Sequence, residues 1–236
     1  MVKKIFAILR SLKLTAVLIG YFIITSAVST FIPQKNSLEG PQPRFFSSPA
    51  FLIPVVLFFI NLLSCTVFRF RRELKKSKPN FGPDLLHGGL LLFIIAAFLS
   101  GFNRIDGSIT LSKGQQAILP NGSIIFLDGL EYVQDENGRP QAWKSYLSVI
   151  QDREVAIESY PLEVNHPLKV GGFSLYQYSY GVNSEGEYTV LRAVWDPGYA
   201  MVVIALFICA AGICITLFVK MKNFHQGRQR PNFQGE

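Results

Sequence analysis

The stretch "DLLHGGLLLFIIAAFLSGF" (Asp84–Phe102) combines the pattern of a membrane helix with an ionisable ring near its start. From Leu85 onward it contains no charged residue, and its length approaches the roughly 20 apolar residues that cross a bilayer as a helix. His87 lies in the first turn, and Gly88 and Gly89 follow it. Because ionisable residues inside membrane helices are mostly functional, this stretch predicts both the class of fold and a candidate site.

Three other uncharged runs have the same character, in a chain of 236 residues that is 49% hydrophobic and only 17% charged. In lipid every backbone polar group needs an internal partner, and a helix supplies one for each. The sequence therefore predicts an integral membrane α-helical protein with four transmembrane helices. These predicted helices span residues 14–32, 50–68, 85–102 and 199–219.

The positions of the basic residues predict the orientation. Fourteen of the 23 Lys and Arg residues lie in residues 1–13, 69–84 and 220–236. Lys and Arg concentrate on the cytoplasmic side of membrane proteins, so these segments are predicted as cytoplasmic N-terminus, basic loop and tail. The polar tail is also predicted to be disordered. The loop 33–49 and the segment 103–196, with seven basic and twelve acidic residues and a net charge of −5, are predicted to be external.

The external segment 103–196 contains short, partly alternating runs rich in β-branched and aromatic residues, which are typical of strands. Asn121-Gly122 and Asn137-Gly138 are its strongest hairpin signals. Roughly 90 residues suffice for a small sandwich or barrel. A small all-β extracytoplasmic domain is therefore predicted between helices 3 and 4. Its predicted strands lie within residues 107–114, 116–133, 143–151, 154–164, 171–181 and 187–195.

Motifs of catalysis are absent from the sequence, which has no G-x-S-x-G, Walker loop or H-E-x-x-H. The three cysteines all lie in predicted helices, and no C-x-x-C-H haem-attachment motif occurs. Glu131, Asp135 and Glu136 flank a predicted turn, where a solvated surface is the favoured interpretation and a cation site the weaker one. No catalytic residue is predicted, and the chain is expected to be no enzyme by itself.

The three histidines differ in their surroundings. His225 lies in the predicted tail. His166 adjoins a turn predicted at Asn165 and Pro167, so a surface or turn residue is favoured there over a functional one. His87 is the one histidine at membrane depth, and it is the candidate that the sequence singles out.

Several interpretations of His87 remain open. The ring can reach the cytoplasmic headgroups, relay protons, or ligate haem iron axially as histidine often does. Gly88 and Gly89 remove side chains beside the ring, which suits close approach of another helix or of a flat ligand. A haem held by two histidines needs a second ring, and no other histidine lies in a predicted helix. A partner or a second copy must then supply the second ligand.

Five segments resemble the ResB family of cytochrome c biogenesis proteins, in the family's order and topology. They are "ILRSLKLTAVLIGYFIITSAVSTFIPQ", "FFSSPAFLIPVVLFFINLLSCTVFR", "LLHGGLLLFIIAAFLSGFNRIDGSITLSKGQ", "NHPLKVGGFSLYQYSYG" and "VWDPGYAMV". The resemblance implies a membrane subunit of a system II cytochrome c synthase in the bacterial cytoplasmic (inner) membrane. It implies haem transport across the membrane, and haem presentation to the C-x-x-C-H motifs of apocytochrome c.

The same resemblance implies a CcsA-type partner that carries a tryptophan-rich haem-handling motif. This chain has only Trp143 and Trp195, so it is expected to be an accessory subunit of the haem lyase. The histidine of the third helix that relatives are thought to use for haem b matches His87, which becomes the candidate axial ligand, with Gly88 and Gly89 beside the haem or another helix. Many family members have a longer outer domain than residues 103–196.

Two other functions compete with this interpretation. One is a non-haem assembly or anchoring protein of the membrane, whose external β-domain binds a partner and whose His87 is merely interfacial. The other is a proton-relay or transport subunit, which the absence of Asp, Glu, Lys and Arg from the predicted helices disfavours. No nucleic-acid partner is expected, because the basic residues flank predicted membrane helices.

Overall fold

The computed structural model describes residues 9–31, 46, 48–134, 140–184 and 186–228. These residues form two compact units, one made of the helices and the other of the strands. All four long helices are long and apolar enough to cross a membrane, which confirms the predicted membrane class. The helices are α1 (Leu12–Thr30), α2 (Pro49–Glu73), α3 (Gly82–Asn103) and α4 (Tyr199–Arg228).

The helices extend beyond the predicted boundaries at their charged ends. Ser48 precedes α2 and Pro49 is its first residue, where the fixed backbone angle of proline suits the start of a helix. The loop predicted at 69–84 is shorter, because α2 continues to Glu73 and α3 begins at Gly82. Apolar runs mark the lipid-facing length, whereas a helix can continue into water wherever its end residues favour it.

The predicted disorder of the tail 220–236 is wrong over its first half. Helix α4 remains regular to Arg228, and residues 229–236 lie outside the described part of the chain. Residues 220–228 contain two Lys and one each of Met, Gln and Arg, all of which have good helix propensity. Polar composition alone therefore gave a wrong prediction where local propensity favoured continuation.

Helices α1 and α2 meet around a buried amide. Asn61 of α2 is only 1% exposed. Its Nδ2 donates to the backbone oxygen of Leu9 at 2.8 Å, and its Oδ1 accepts from Thr15 Oγ1 of α1 at 2.7 Å. In lipid an unpaired amide is costly, so these bonds fix how the two helices meet.

Helices α3 and α4 meet through small residues that recur every seven positions. A Cβ added to Gly89 would lie 2.5 Å from Cys209 Sγ, and one added to Gly212 would lie 2.5 Å from Leu86 N. The two backbones therefore touch, as small residues permit in membranes. The series is Gly82, Gly89 and Ala96 along α3 against Gly212, Ala205 and Gly198 in reverse order, so the helices run antiparallel.

The strands follow α3 and precede α4 in the chain and build two antiparallel sheets. The first has the order β1-β8-β7-β6 and the second the order β2-β3-β4-β5. The strands are β1 (Ile105–Ser112), β2 (Gln116–Ile118), β3 (Ile124–Gln134), β4 (Pro140–Gln151), β5 (Glu154–Leu162), β6 (Leu168–Val170), β7 (Phe173–Asn183) and β8 (Gly186–Trp195).

Both predicted hairpin signals fall between paired strands. Gly122 has φ +84° in the β2–β3 connection, a left-handed conformation that glycine adopts without a steric penalty. Strands β3 and β4 pair on either side of Asn137-Gly138, but those two residues lie outside the described residues.

The core of the β-unit lies between its sheets. Alternate residues of each strand point inward, and aliphatic side chains from both sheets meet there almost without solvent exposure. The members that are 0% exposed are Ile125, Leu127, Leu147, Val149, Leu162, Leu175 and Leu191. This continuous apolar core makes the unit one domain.

Candidate functional site

His87 lies in the second turn of α3, on the face opposite to α4. Successive helix residues are about 100° apart, so His87 lies about 160° around the helix from Gly89, which contacts α4. The imidazole is half-buried. Its Nδ1 is buried and has no hydrogen-bond partner among the residues that the structure describes.

The two glycines beside His87 have different environments. Gly89 packs directly on α4, where an added Cβ would also meet the backbone oxygen of Ala205 at 2.9 Å. Gly88 has nothing within 4 Å of such a Cβ. Of the two roles predicted for this pair, helix packing therefore applies to Gly89, whereas the space beside Gly88 is open.

A buried network of charges joins the ends of α2 and α3 near His87. Arg69 Nη1 donates to Asp84 Oδ2 at 2.8 Å, and Arg69 Nη2 donates to the backbone oxygen of Asn80 at 3.1 Å. Glu73, only 2% exposed, accepts from Lys76 Nζ at 2.6 Å and from the Asn80 backbone N–H at 3.2 Å. The charges at these helix ends are thus neutralised locally, which lets the helices include them.

Asp84 is the member of this network that lies nearest to His87 in the sequence of α3. Its Oδ2 is held by Arg69, while its Oδ1 is buried without a hydrogen-bond partner in the described part of the chain. Asp84 and His87 are three residues apart on α3, a spacing at which helix side chains are neighbours. A carboxylate in that position can accept a hydrogen bond from the N–H of the imidazole, which leaves the other ring nitrogen for a metal.

The sequence missed this arrangement. Asp84 and Arg69 were assigned to a cytoplasmic loop because both flank apolar runs. The signal that was available is the i,i+4 spacing of Arg69 and Glu73, which puts opposite charges on one face of a continuing helix. Only the fold shows that both carboxylates, Glu73 and Asp84, are buried and paired.

The other candidate residues from the sequence lie in the β-unit, at its surface or outside the described residues. His166 is exposed in the turn between β5 and β6, where its backbone N–H donates to Glu163 O at 3.2 Å and Asn165 has φ +67°. Glu131 accepts a hydrogen bond from Tyr146 Oη, and Asp135 and Glu136 lie outside the described residues. Across the described ranges, no cluster of three or more His, Cys, Asp or Glu side chains could hold a metal ion.

The chain has four helices of membrane length and a two-sheet β-domain, which is the architecture of a multi-pass membrane protein. Its one candidate ligand-binding imidazole, His87, lies near the start of α3. The model of the ResB-like family matches residues 78–192, a range that includes His87 and all or most of each strand. The resemblance to this family that the sequence indicated is confirmed over that range.

Individual relatives are similar to this chain over stretches of about a hundred residues. A cytochrome c biogenesis protein CcsB of Synechococcus sp. (strain RCC307) is 27% identical over 106 residues, which are 43% of this chain and 24% of that protein. The CcsB of Prochlorococcus marinus (strain NATL1A) is 33% identical over 101 residues, 41% of this chain and 24% of the relative. The chain therefore matches about a quarter of the length of these curated relatives.

One solved structure also aligns with most of the chain. It is a Cytochrome c Heme Lyase CcmF, with a TM-score of 0.48, 15% sequence identity, and coverage of 87% of this chain and 34% of that one.

Proposed function

We propose that this chain is a membrane subunit of a system II cytochrome c synthase, which helps to carry haem across the membrane and to present it to the C-x-x-C-H motifs of apocytochrome c. The observation that carries the proposal is the ResB-like match over residues 78–192, together with relatives named as cytochrome c biogenesis proteins. The chain acts with a CcsA-type partner, since it lacks a tryptophan-rich motif and a second membrane-depth histidine of its own.

The proposed orientation follows the basic residues. Both termini and the α2–α3 connection lie on the cytoplasmic side of a bacterial inner membrane, and residues 103–196 lie outside. His87 is then at the cytoplasmic end of α3, where haem made in the cytoplasm arrives. Arg69 fixes Asp84 through its Oδ2, while Asp84 Oδ1 and His87 Nδ1 are without partners among the described residues. With haem bound, Asp84 Oδ1 would accept a hydrogen bond from His87 Nδ1 and leave the other ring nitrogen for the iron.

This chain would supply one ligand to haem b, His87, and the partner would supply the other. A Cβ added at Gly88 would meet nothing within 4 Å, whereas one added at Gly89 would meet α4, so a flat ligand would approach α3 on the Gly88 side. Bound haem would supply the group that is attached to the apocytochrome. This chain's own contribution is a ligand, the residues that position it, and a binding surface on the β-domain.

The test is spectroscopic. The chain is co-expressed with a CcsA-type partner and the complex is purified in a neutral detergent. We expect a low-spin haem spectrum that His87→Ala abolishes or converts to high spin, while the exposed control His166→Ala leaves it unchanged. An unchanged spectrum in His87→Ala, with partner still bound, would instead support an anchoring protein without a haem ligand.

A further inference from the structure

The β-domain contains a second site, which lies where the inner faces of its sheets open beyond the core. Along β4 the inward row runs from Val149 and Leu147 through Ser145 to Trp143. A hydrogen-bonded trio closes the apolar core at Ser145, whose Oγ lies 2.6 Å from Gln177 Oε1 of the opposite sheet. The third member is Thr189 Oγ1, which accepts from Gln177 Nε2 at 2.8 Å. Beyond this trio the inward residues are aromatic.

Two bulges bring these aromatic residues inward. The register of β3 against β4 shifts between Leu127 and Gly129, and the register of β7 against β8 shifts between Gln177 and Ser179. A bulge inserts one residue and reverses which residues point inward. After the shifts, Tyr132 stands opposite Trp143 and Tyr180 stands opposite Thr189. Without the bulges both tyrosines would face away from the core.

The three rings form a compact cluster. The ring centroids of Trp143 and Tyr180 are 4.7 Å apart, and those of Tyr132 and Tyr180 are 5.1 Å apart. Tyr180 Oη donates to Tyr132 Oη at 2.8 Å, which joins the two sheets and fixes the rings. The indole Nε1 of Trp143 is buried, and no acceptor for it occurs in the described ranges.

A pocket of about 320 Å³ lies against this cluster. Besides the three rings it is lined by Leu130, Val182 and the carboxylate residues Glu131 and Glu187. Its described lining contains no basic side chain. Glu131 is positioned by Tyr146, whose hydroxyl donates to it, and Glu187 is exposed beside the opening.

This lining has the chemistry of a cation site. Aromatic rings carry negative faces that attract ammonium and guanidinium groups, and the carboxylate of Glu187 adds negative charge beside the opening. The carboxylate of Glu131 lies on the outer face of its sheet, with Tyr146 and opposite Lys144. Residues 103–196 have a net charge of −5, which attracts a basic partner from a distance. The unpaired indole N–H adds a donor for a carbonyl oxygen, which a polypeptide carries and a simple amine does not.

We propose that this pocket binds a lysine or arginine side chain of an extended segment of a partner polypeptide. The aliphatic stem lies against Leu130 and Val182, and the charged end lies between the rings and the carboxylate of Glu187. The site belongs to the β-domain alone and depends on neither haem nor His87, so it stands apart from the function proposed above.

The experiment uses the full chain in a neutral detergent and a short fluorescein-labelled Gly-Ser peptide with one central lysine. Its twin carries norleucine, which has the same stem without the charge. We expect saturable binding of the lysine peptide by fluorescence anisotropy and none of the norleucine peptide. Equal binding of both peptides would overturn the proposal, as would n-butylammonium competing at the same concentration as the lysine peptide.

Two charge-matched variants locate the site. Glu187→Gln should weaken binding of the lysine peptide about three- to tenfold. Glu154→Gln, the same change at an exposed position of β5, should leave that binding unchanged. Equal weakening by both variants would mean that only the overall charge matters, and the pocket assignment would fail. Trp143→Phe keeps a ring but loses the indole N–H, so it should weaken binding less than Trp143→Leu, which loses both. Near-UV circular dichroism confirms that each variant is folded.

Discussion

The helical unit and the β-unit of this chain are built with opposite distributions of polarity. In the helical unit large apolar side chains lie outside, such as Ile23 at 65% exposed and Phe207 at 72%, while Asn61 and Glu73 are buried at 1% and 2%. In the β-unit the buried side chains are aliphatic, with Leu147 at 0% exposed. Lipid already solvates apolar groups, so helices gain little by burying them and meet through small and polar residues instead. Water does not, so the sheets bury theirs.

The largest expected effect tests the aliphatic core of the β-unit. Leu147→Ala should lower the free energy of unfolding by roughly 2–5 kcal/mol, because it removes a fully buried side chain and leaves a cavity. Urea unfolding of the full chain in detergent, followed by the fluorescence of Trp143 and Trp195, measures it. Val155→Ala, at a 62% exposed position of β5, should change stability by about 0.5 kcal/mol or less.

The lipid-facing surface supplies the other half of this comparison. Ile23→Ala removes a similar number of atoms from α1, yet should change the helical unit by only about 0.5 kcal/mol, as surface substitutions generally do. Titration with sodium dodecyl sulfate, followed by the far-UV circular dichroism of the helices, measures it. A loss as large as that of Leu147→Ala would mean that this face of α1 is packed against protein.

An effect smaller than that of Leu147→Ala is expected at the close contact of α3 with α4. Gly89→Ala should destabilise the helical unit by about 1–3 kcal/mol, because the new methyl group overlaps Cys209 and the backbone of Ala205. The neighbouring Gly88→Ala makes the same change into open space and should be neutral or slightly stabilising through helix propensity. The same detergent titration compares them, and equal effects would contradict the assigned packing of this helix pair.

An electrostatic effect, smaller than those of Leu147→Ala and Gly89→Ala, is expected in the β-unit. Arg192 holds Asp106 through two hydrogen bonds of 2.7 Å, and this contact holds the pKa of the Asp106 carboxyl below its ordinary value. A lowered folded-state pKa contributes stability above the unfolded value of about 3.9 and loses it as pH falls through the folded value. At pH 7, Asp106→Asn should therefore cost up to about 1 kcal/mol, as for an exposed ion pair.

The pH dependence separates this pair from a general charge effect. The difference between wild type and Asp106→Asn should shrink as the pH is lowered below 4 and vanish once Asp106 is protonated in the folded state. Urea unfolding at a series of pH values measures it. Asp152→Asn, at an exposed turn of β4–β5, controls for the change in net charge, and a pH-independent cost of Asp106→Asn would contradict the ion-pair explanation.

The sequence was most informative where one residue type decides a local conformation. Length and apolar composition sufficed for four helices, because spanning a bilayer sets both. Alternating β-branched runs and Asn-Gly pairs gave the strands and the β2–β3 hairpin. The sequence also selected His87 as the candidate ligand, because it is the one histidine in a predicted helix.

The rest could not be derived, because it depends on which residues meet. The two glycines after His87 are identical in sequence, yet only Gly89 faces α4. The aromatic pocket needs Tyr132 and Tyr180 to point inward, and each does so only after a bulge. Gly129 lies at the first of these bulges, as glycine in a strand often does, and no glycine lies at the second. Asp84 looked like a loop carboxylate until the fold brought Arg69 of another helix to it.

The sequence by itself determined which segments face lipid and which face water. The length of the apolar runs indicates four helices in lipid, and the alternation of apolar and polar residues indicates a β-domain in water. The tertiary structure alone decided which small residues join α3 to α4, how Arg69 and Asp84 come to lie beside His87, and where the three rings converge. These are contacts between residues distant in the chain, and their free energy depends on complementary shape and paired charge, which exist only once both partners are in place.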